Sequence, residues 1–148
     1  EFGRWSKHSV MDVDTRVPLI LYIPGKQSGR IDQIVESIDL YPTLVELAGY
    51  EPPETLQGES LFNKTRDFAL SRIPRDTVVG VSVRTPAFRY TEWRNKYNED
   101  QVITKELYRY HENEFLEKKN MINDSKATTI IDSIKSKVNF QIKKENLL

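Results

Sequence analysis

The feature that most constrains this chain is the run Val17-Pro18-Leu19-Ile20-Leu21-Tyr22-Ile23, closed by Pro24-Gly25. It is continuously apolar and shows no alternation. Such a run predicts a strand covered on both faces, as in a parallel sheet with helices packed over it. Pro18 is tolerable at the start of such a strand, and Pro24-Gly25 ends it. A strand of this kind needs neighbours on both sides, so the 148 residues standing alone are expected to expose apolar surface.

A second element follows. Asp39 predicts an N-cap for a helix carrying Leu40, Leu44, Leu47 and Ala48, with Pro42 in the first turn and Gly49 as the stop. Glu51-Pro52-Pro53-Glu54 reads as a stiff linker and Gln57-Gly58 as a turn. From residue 77 the period changes. Val79, Val81 and Val83 alternate with Gly80, Ser82 and Arg84, and Phe88 to Arg94 alternates again after Thr85-Pro86, which predicts a hairpin. Phe68 to Leu70 and Glu106 to Tyr110 are further candidate strands, with Asn95 to Lys105 between them expected as a polar loop suited to substrate selectivity. Ala127, Ile130, Ile131, Ile134 and Val138 form one helical stripe, capped by Asp124 or Ser125. The fold expected is α/β: residues 1–62 as the end of an α/β domain, 63–76 as a crossover, and 77–148 as an antiparallel-sheet subdomain with a terminal helix.

Composition narrows the function classes. Lys+Arg and Asp+Glu are both 22, so no basic excess points to nucleic acid or an anionic membrane. No apolar run approaches the roughly 20 residues that span a bilayer. Cysteine is absent, which excludes disulfides, thiolate metal sites and a cysteine nucleophile within these residues. Asp12, Asp14, Asp32, Glu36 and Asp39 lack the spacing of a calcium loop and read as solvated carboxylates or, for Asp39, a helix cap. Phosphate-cradling glycine loops and a Ser-His-Asp order are absent as well.

Four short motifs occur in a fixed order: Gly3-Arg4-Trp5-Ser6-Lys7, Arg16 to Gly25, Ile38-Asp39-Leu40-Tyr41-Pro42-Thr43-Leu44 through Gly49, and Leu56-Gln57-Gly58-Glu59-Ser60-Leu61. In this order they resemble the carboxyl-terminal part of the sulfatase family, within the alkaline phosphatase-like superfamily, nearest its iduronate-2-sulfatase-like branch. Val81 to Thr85, Arg89 to Trp93, Glu106-Leu107-Tyr108 and Glu117 to Met121 resemble that family's terminal subdomain, although Arg109 stands where an acidic residue is common.

The resemblance implies a parent enzyme that hydrolyses sulfate esters of a small molecule or glycan, with a calcium ion and a formylglycine nucleophile. Neither is expected to be held by this segment: Cys-x-Pro-x-Arg is missing, and Ser71-Arg72-Ile73-Pro74-Arg75 has the wrong spacing. The resemblance also implies that Lys7 reaches the sulfate group, since a fixed ammonium stabilises charge on sulfonyl and leaving oxygens. His8 beside it is a candidate substrate contact at the rim; His111 has no implied role. Arg84, Arg89, Trp93 and Arg94 read either as a docking surface for a sulfated sugar or as ordinary alternation, with Trp93 packed under the terminal helix.

The segment alone is therefore expected to be catalytically silent and to work with an upstream part of the same parent chain. The family is commonly secreted, periplasmic or lysosomal, and any signal is expected upstream of Glu1. A phosphonate or phosphodiester hydrolase of the same superfamily, or a non-catalytic binding module, are the alternatives.

Overall fold

The computed structural model describes residues 7–111 and 116–144, with side chains to residue 138. Its centre is a four-stranded antiparallel meander, β1 (Ala69–Arg75), β2 (Val78–Arg84), β3 (Phe88–Asn95) and β4 (Asn98–Arg109), in spatial order β1-β2-β3-β4. Two tight turns, at Asp76-Thr77 and Lys96-Tyr97, join the outer pairs. The middle turn is closed by the Thr85 hydroxyl, which accepts from Phe88 N at 3.0 Å, while Thr85 N donates to Phe88 O at 2.8 Å. The predicted hairpin is therefore present.

The polar stretch 95–105 departs from expectation. Instead of a loop it forms the outer half of β4, an edge strand whose first residues are largely exposed. A solvated edge needs no apolar alternation, so its polar sequence hid the pairing.

One face of the sheet builds the core. Val83, Tyr90 and Leu107 lie opposite one another across β2, β3 and β4. Helix α3 (Ala127–Lys144) packs Ala127 and Ile134 onto this row, flanked by Phe68, Ile130, Ile131 and Val138. This is the apolar stripe predicted for the terminal helix, and it begins at Ala127, whose N–H bonds to the Asp124 carbonyl at 2.9 Å. The antiparallel sheet with its terminal helix is the subdomain the sequence implied.

The amino-terminal half is organised differently. A short turn, α1 (Asp12–Thr15), leads into the apolar run, and α2 (Leu40–Leu47) follows a single 3-10 turn at Ser37–Asp39. The run 17–23 forms no strand, and Ile20 and Tyr22 are 90% and 89% exposed. The four strands pair in sequence order with one another, and none of them pairs with this run.

Helix α2 ends as predicted. Gly49, at φ +82, lets Tyr50 N reach Val45 O at 3.1 Å and Gly49 N reach Glu46 O at 3.0 Å. Its apolar side is nonetheless open: Leu44 is 56% exposed, whereas Asp39 and Thr43 are fully buried.

Asp39 stands at the N-cap position expected, but its side chain does not cap α2, and its backbone is already helical. One carboxylate oxygen instead accepts from Glu36 N at 2.8 Å and Lys64 Nζ at 2.6 Å. The other accepts from Glu59 N at 3.0 Å and Arg66 Nη2 at 3.1 Å. The Leu56 to Leu61 motif explains itself here. Leu61 N donates to the Thr43 hydroxyl at 3.0 Å, and a Cβ on Gly58 would stand 2.1 Å from the Ile38 carbonyl oxygen. Only glycine permits that approach.

Candidate functional site

The face of the sheet opposite α3 carries the odd-numbered residues of β3. There Arg84 and Arg89 are register partners across β2 and β3. Two like charges placed directly opposite repel unless an acid lies between them. Asp12 supplies it. Its carboxylate accepts from Arg84 Nε at 3.0 and 3.1 Å, from Arg84 Nη2 at 3.0 Å, and from Arg89 Nη2. Burial alone would raise the Asp12 carboxyl; the two guanidinium groups outweigh it and hold it below the usual carboxylate range.

Arg89 is the hub, 1% exposed. Its Nε donates to Glu117 Oε1 and to the Tyr110 hydroxyl, both at 3.0 Å, and its Nη1 to the Ser82 hydroxyl at 3.1 Å. Its second Nη2 contact is the Thr15 hydroxyl at 3.3 Å. Glu117 also accepts from Asp12 N at 2.9 Å and from the Tyr110 hydroxyl. Burial, with the Glu117 carboxylate accepting its proton, pushes the Tyr110 hydroxyl far above its ordinary range. The Arg84 guanidinium stacks 3.5 Å from the Tyr110 ring centre. Two arginines and two carboxylates therefore neutralise one another in a largely dry cluster. Removing one member of such a set costs about 3–5 kcal/mol, because its partner is left charged and buried.

This cluster fixes the segment that carries Lys7. Within α1, Asp14 N and Thr15 N bond to Met11 O at 2.9 and 3.0 Å, and Arg16 N to Asp12 O at 2.8 Å. The Asp14 carboxylate reaches back to His8 N at 3.2 Å and to the Ser9 hydroxyl. The His8 carbonyl accepts from Arg75 Nη2 at the end of β1. Both peptide groups of His8 are thus tied down, and Val10 beyond it is buried. The side chains of Lys7 and His8 are both exposed. The structure brings these two together and leaves His111 apart at the end of β4, also exposed. Gly3, Arg4, Trp5 and Ser6 lie outside the described residues.

Several expectations are corrected. Asp12 and Asp39 are not solvated; each is buried at the centre of an ion-pair cluster. Arg84 and Arg89 are bound to carboxylates and leave no fork for a sulfated sugar, and Arg94 pairs with Glu92. Trp93 points away from α3, its ring lying over Gly80 and 6.0 Å from the Arg75 guanidinium. Asp12 and Glu117 were not legible as partners. The one available signal was the opposed arginine pair, which demands an acid without saying which. Among the described residues no three His, Asp or Glu side chains are grouped to hold a metal ion.

The antiparallel terminal sheet with one packed helix is the arrangement expected of the terminal region of a sulfatase-type protein, and the comparisons give the class. Residues 1–79 match the family described as N-sulphoglucosamine sulphohydrolase, C-terminal, and the chain belongs to that sulfatase family. It is similar to mouse iduronate 2-sulfatase, with 27% identity across 91% of this chain and 38% of the mouse protein. Human arylsulfatase K is 34% identical over 41% of this chain and 12% of its own length. Among solved structures, a putative sulfatase from Bacteroides thetaiotaomicron superposes with a TM-score of 0.55 at 27% identity, covering 73% of this chain and 24% of that one. The chain therefore spans well under half the length of these relatives.

Proposed function

We propose that these residues are the carboxyl-terminal part of a sulfatase that hydrolyses sulfate esters of a sulfated sugar, and that Lys7 is their contribution to the sulfate site. One observation carries the reading: an exposed lysine is mounted on backbone fixed at the very next residue, in a chain of sulfatase kinship. The relatives' names, iduronate 2-sulfatase and N-sulphoglucosamine sulphohydrolase, support a sugar as the carrier of the sulfate.

The chemistry asks for a cation at this position. When the S–O bond breaks, negative charge gathers on the sulfonyl oxygens and on the departing oxygen. An ammonium already held in place stabilises that charge without reorganising solvent. His8 stands beside it as a rim contact.

Calcium and formylglycine, which the sulfatase reaction implies, do not fit the residues described. Asp12 and Asp39 are taken up by arginine and lysine, and neither Cys-x-Pro-x-Arg nor Ser-x-Pro-x-Arg occurs in the sequence. Such groups would be held by other parts of the enzyme, where the metal would polarise the sulfate. The 148 residues alone are then silent.

The test is hydrolysis of 4-nitrophenyl sulfate by the longer parent enzyme and by its Lys7→Ala variant. Loss of one fixed oxyanion donor lowers kcat about 100- to 1000-fold. Turnover near the unsubstituted level would refute the role, and turnover by the 148 residues alone would refute their silence.

A further inference from the structure

We propose that Arg89 is a positioning residue for Lys7, acting through Asp12; the inference rests on the role given to Lys7 above. Lys7 has an exposed side chain. Among the described residues, the backbone that follows it is what ties its position to the sheet.

That backbone is indexed to the sheet in a continuous series of contacts. Arg89 is rigid, because each of its three nitrogens is engaged and its neighbours Ser82 and Thr91 are themselves bonded at 2.9 Å. It grips Asp12, the first residue of α1. The α1 turn then sets Asp14, and the Asp14 carboxylate holds His8 N at 3.2 Å, one peptide from Lys7. A ligand-facing cation at the end of such a series keeps its geometry only while every contact is made. A displacement of about 1 Å in a positioning element can cost on the order of 100-fold in rate.

Arg89 touches neither substrate nor reacting atoms in this scheme. Its effect on rate must therefore pass through Lys7, which separates positioning from general stability. If Arg89 only stabilised the fold, its replacement would slow the enzyme equally whether residue 7 were lysine or alanine. If it positions Lys7, the loss disappears once the ammonium is gone.

The experiment is a double-substitution cycle on the parent enzyme with 4-nitrophenyl sulfate, measuring kcat well below each variant's melting temperature. Arg89→Lys keeps the charge and loses the fork. It is expected to lower kcat about 10- to 100-fold with Lys7 present and less than 2-fold in the Lys7→Ala background. Should Arg89→Lys fail to fold, Asp14→Asn probes the same series from a half-buried position, with about 3- to 10-fold expected and the same disappearance. Equal losses in both backgrounds overturn the positioning role while leaving Lys7's intact. A Lys7→Ala enzyme at full turnover overturns both, so the two failures are told apart.

Discussion

Replacing Asp39 with alanine should be among the most damaging single changes in the amino-terminal half. The Asp39 carboxylate has no exposed surface, and the Lys64 side chain that donates to it is equally dry. Alanine there would take from Lys64 its carboxylate partner at 2.6 Å and from Arg66 one of its carboxylates, leaving Glu36 at 2.7 Å among its partners. It would also free two backbone donors, Glu36 N and Glu59 N. Breaking a buried pair from one side costs about 3–5 kcal/mol, a large part of a total of roughly 5–15 kcal/mol. With a urea m-value of about 2 kcal/mol per M, the midpoint should fall by about 2 M. Asp39→Asn keeps the shape and one acceptor oxygen, so about 2–3 kcal/mol is expected. The assay is urea unfolding followed by circular dichroism at 222 nm, with both variants beside the parent sequence. A loss below about 1 kcal/mol for Asp39→Ala would show that Lys64 and Arg66 reach solvent at little cost, and the reasoning would fail.

Gly58→Ala drives a methyl group into the Ile38 carbonyl, a backbone atom that cannot swing aside, and should cost about 1–3 kcal/mol; an unchanged urea midpoint would count against it. Burial alone would raise the Glu92 carboxyl, but hydrogen bonds from Lys135, Tyr90 and Arg94 prevail and hold it at about 2, against an ordinary 4.5. Its contribution is therefore complete above about pH 4.5 and disappears as pH falls through 2, so Glu92→Gln should flatten the loss of stability across that window, read as urea midpoint against pH. With Ile20 and Tyr22 exposed, the 148 residues alone should enhance the fluorescence of 8-anilinonaphthalene-1-sulfonate, and the double replacement Ile20→Ser, Tyr22→Ser should reduce it; no enhancement in the unsubstituted chain would contradict the exposed run.

Local periodicity made the carboxyl-terminal half readable. Valines at 79, 81 and 83 could only be a half-covered strand, and the stripe from Ala127 to Val138 could only be a helix lying on something apolar. Where burial is achieved by charge rather than by hydrocarbon, the same reading fails. Asp12 and Asp39 look like any surface carboxylate, because their partners lie at 84, 89, 64 and 66 and no spacing rule joins them. The outer half of β4 escaped for the converse reason, being regular structure whose only apolar residues, Val102 and Ile103, are adjacent and so show no alternation. The run at 17–23 is a third case: its hydrophobicity is plain in the residues, but strand formation depends on neighbours, and none of the described strands pairs with it. Lys7 was singled out by kinship alone. The geometry adds what kinship does not, namely how the main chain beside it is held.

The contacts that hold this segment also set an order of events during synthesis. Asp12 bonds to Arg89 across 77 residues and to Glu117 across 105. At about 5–20 residues per second, a nascent polypeptide waits several seconds between making the aspartate and making its last partner. Through that interval Asp12 N lacks its acceptor, so a chain cut short before Glu117 would keep the Arg84 and Arg89 contacts to the Asp12 carboxylate but lose the one that holds its main chain.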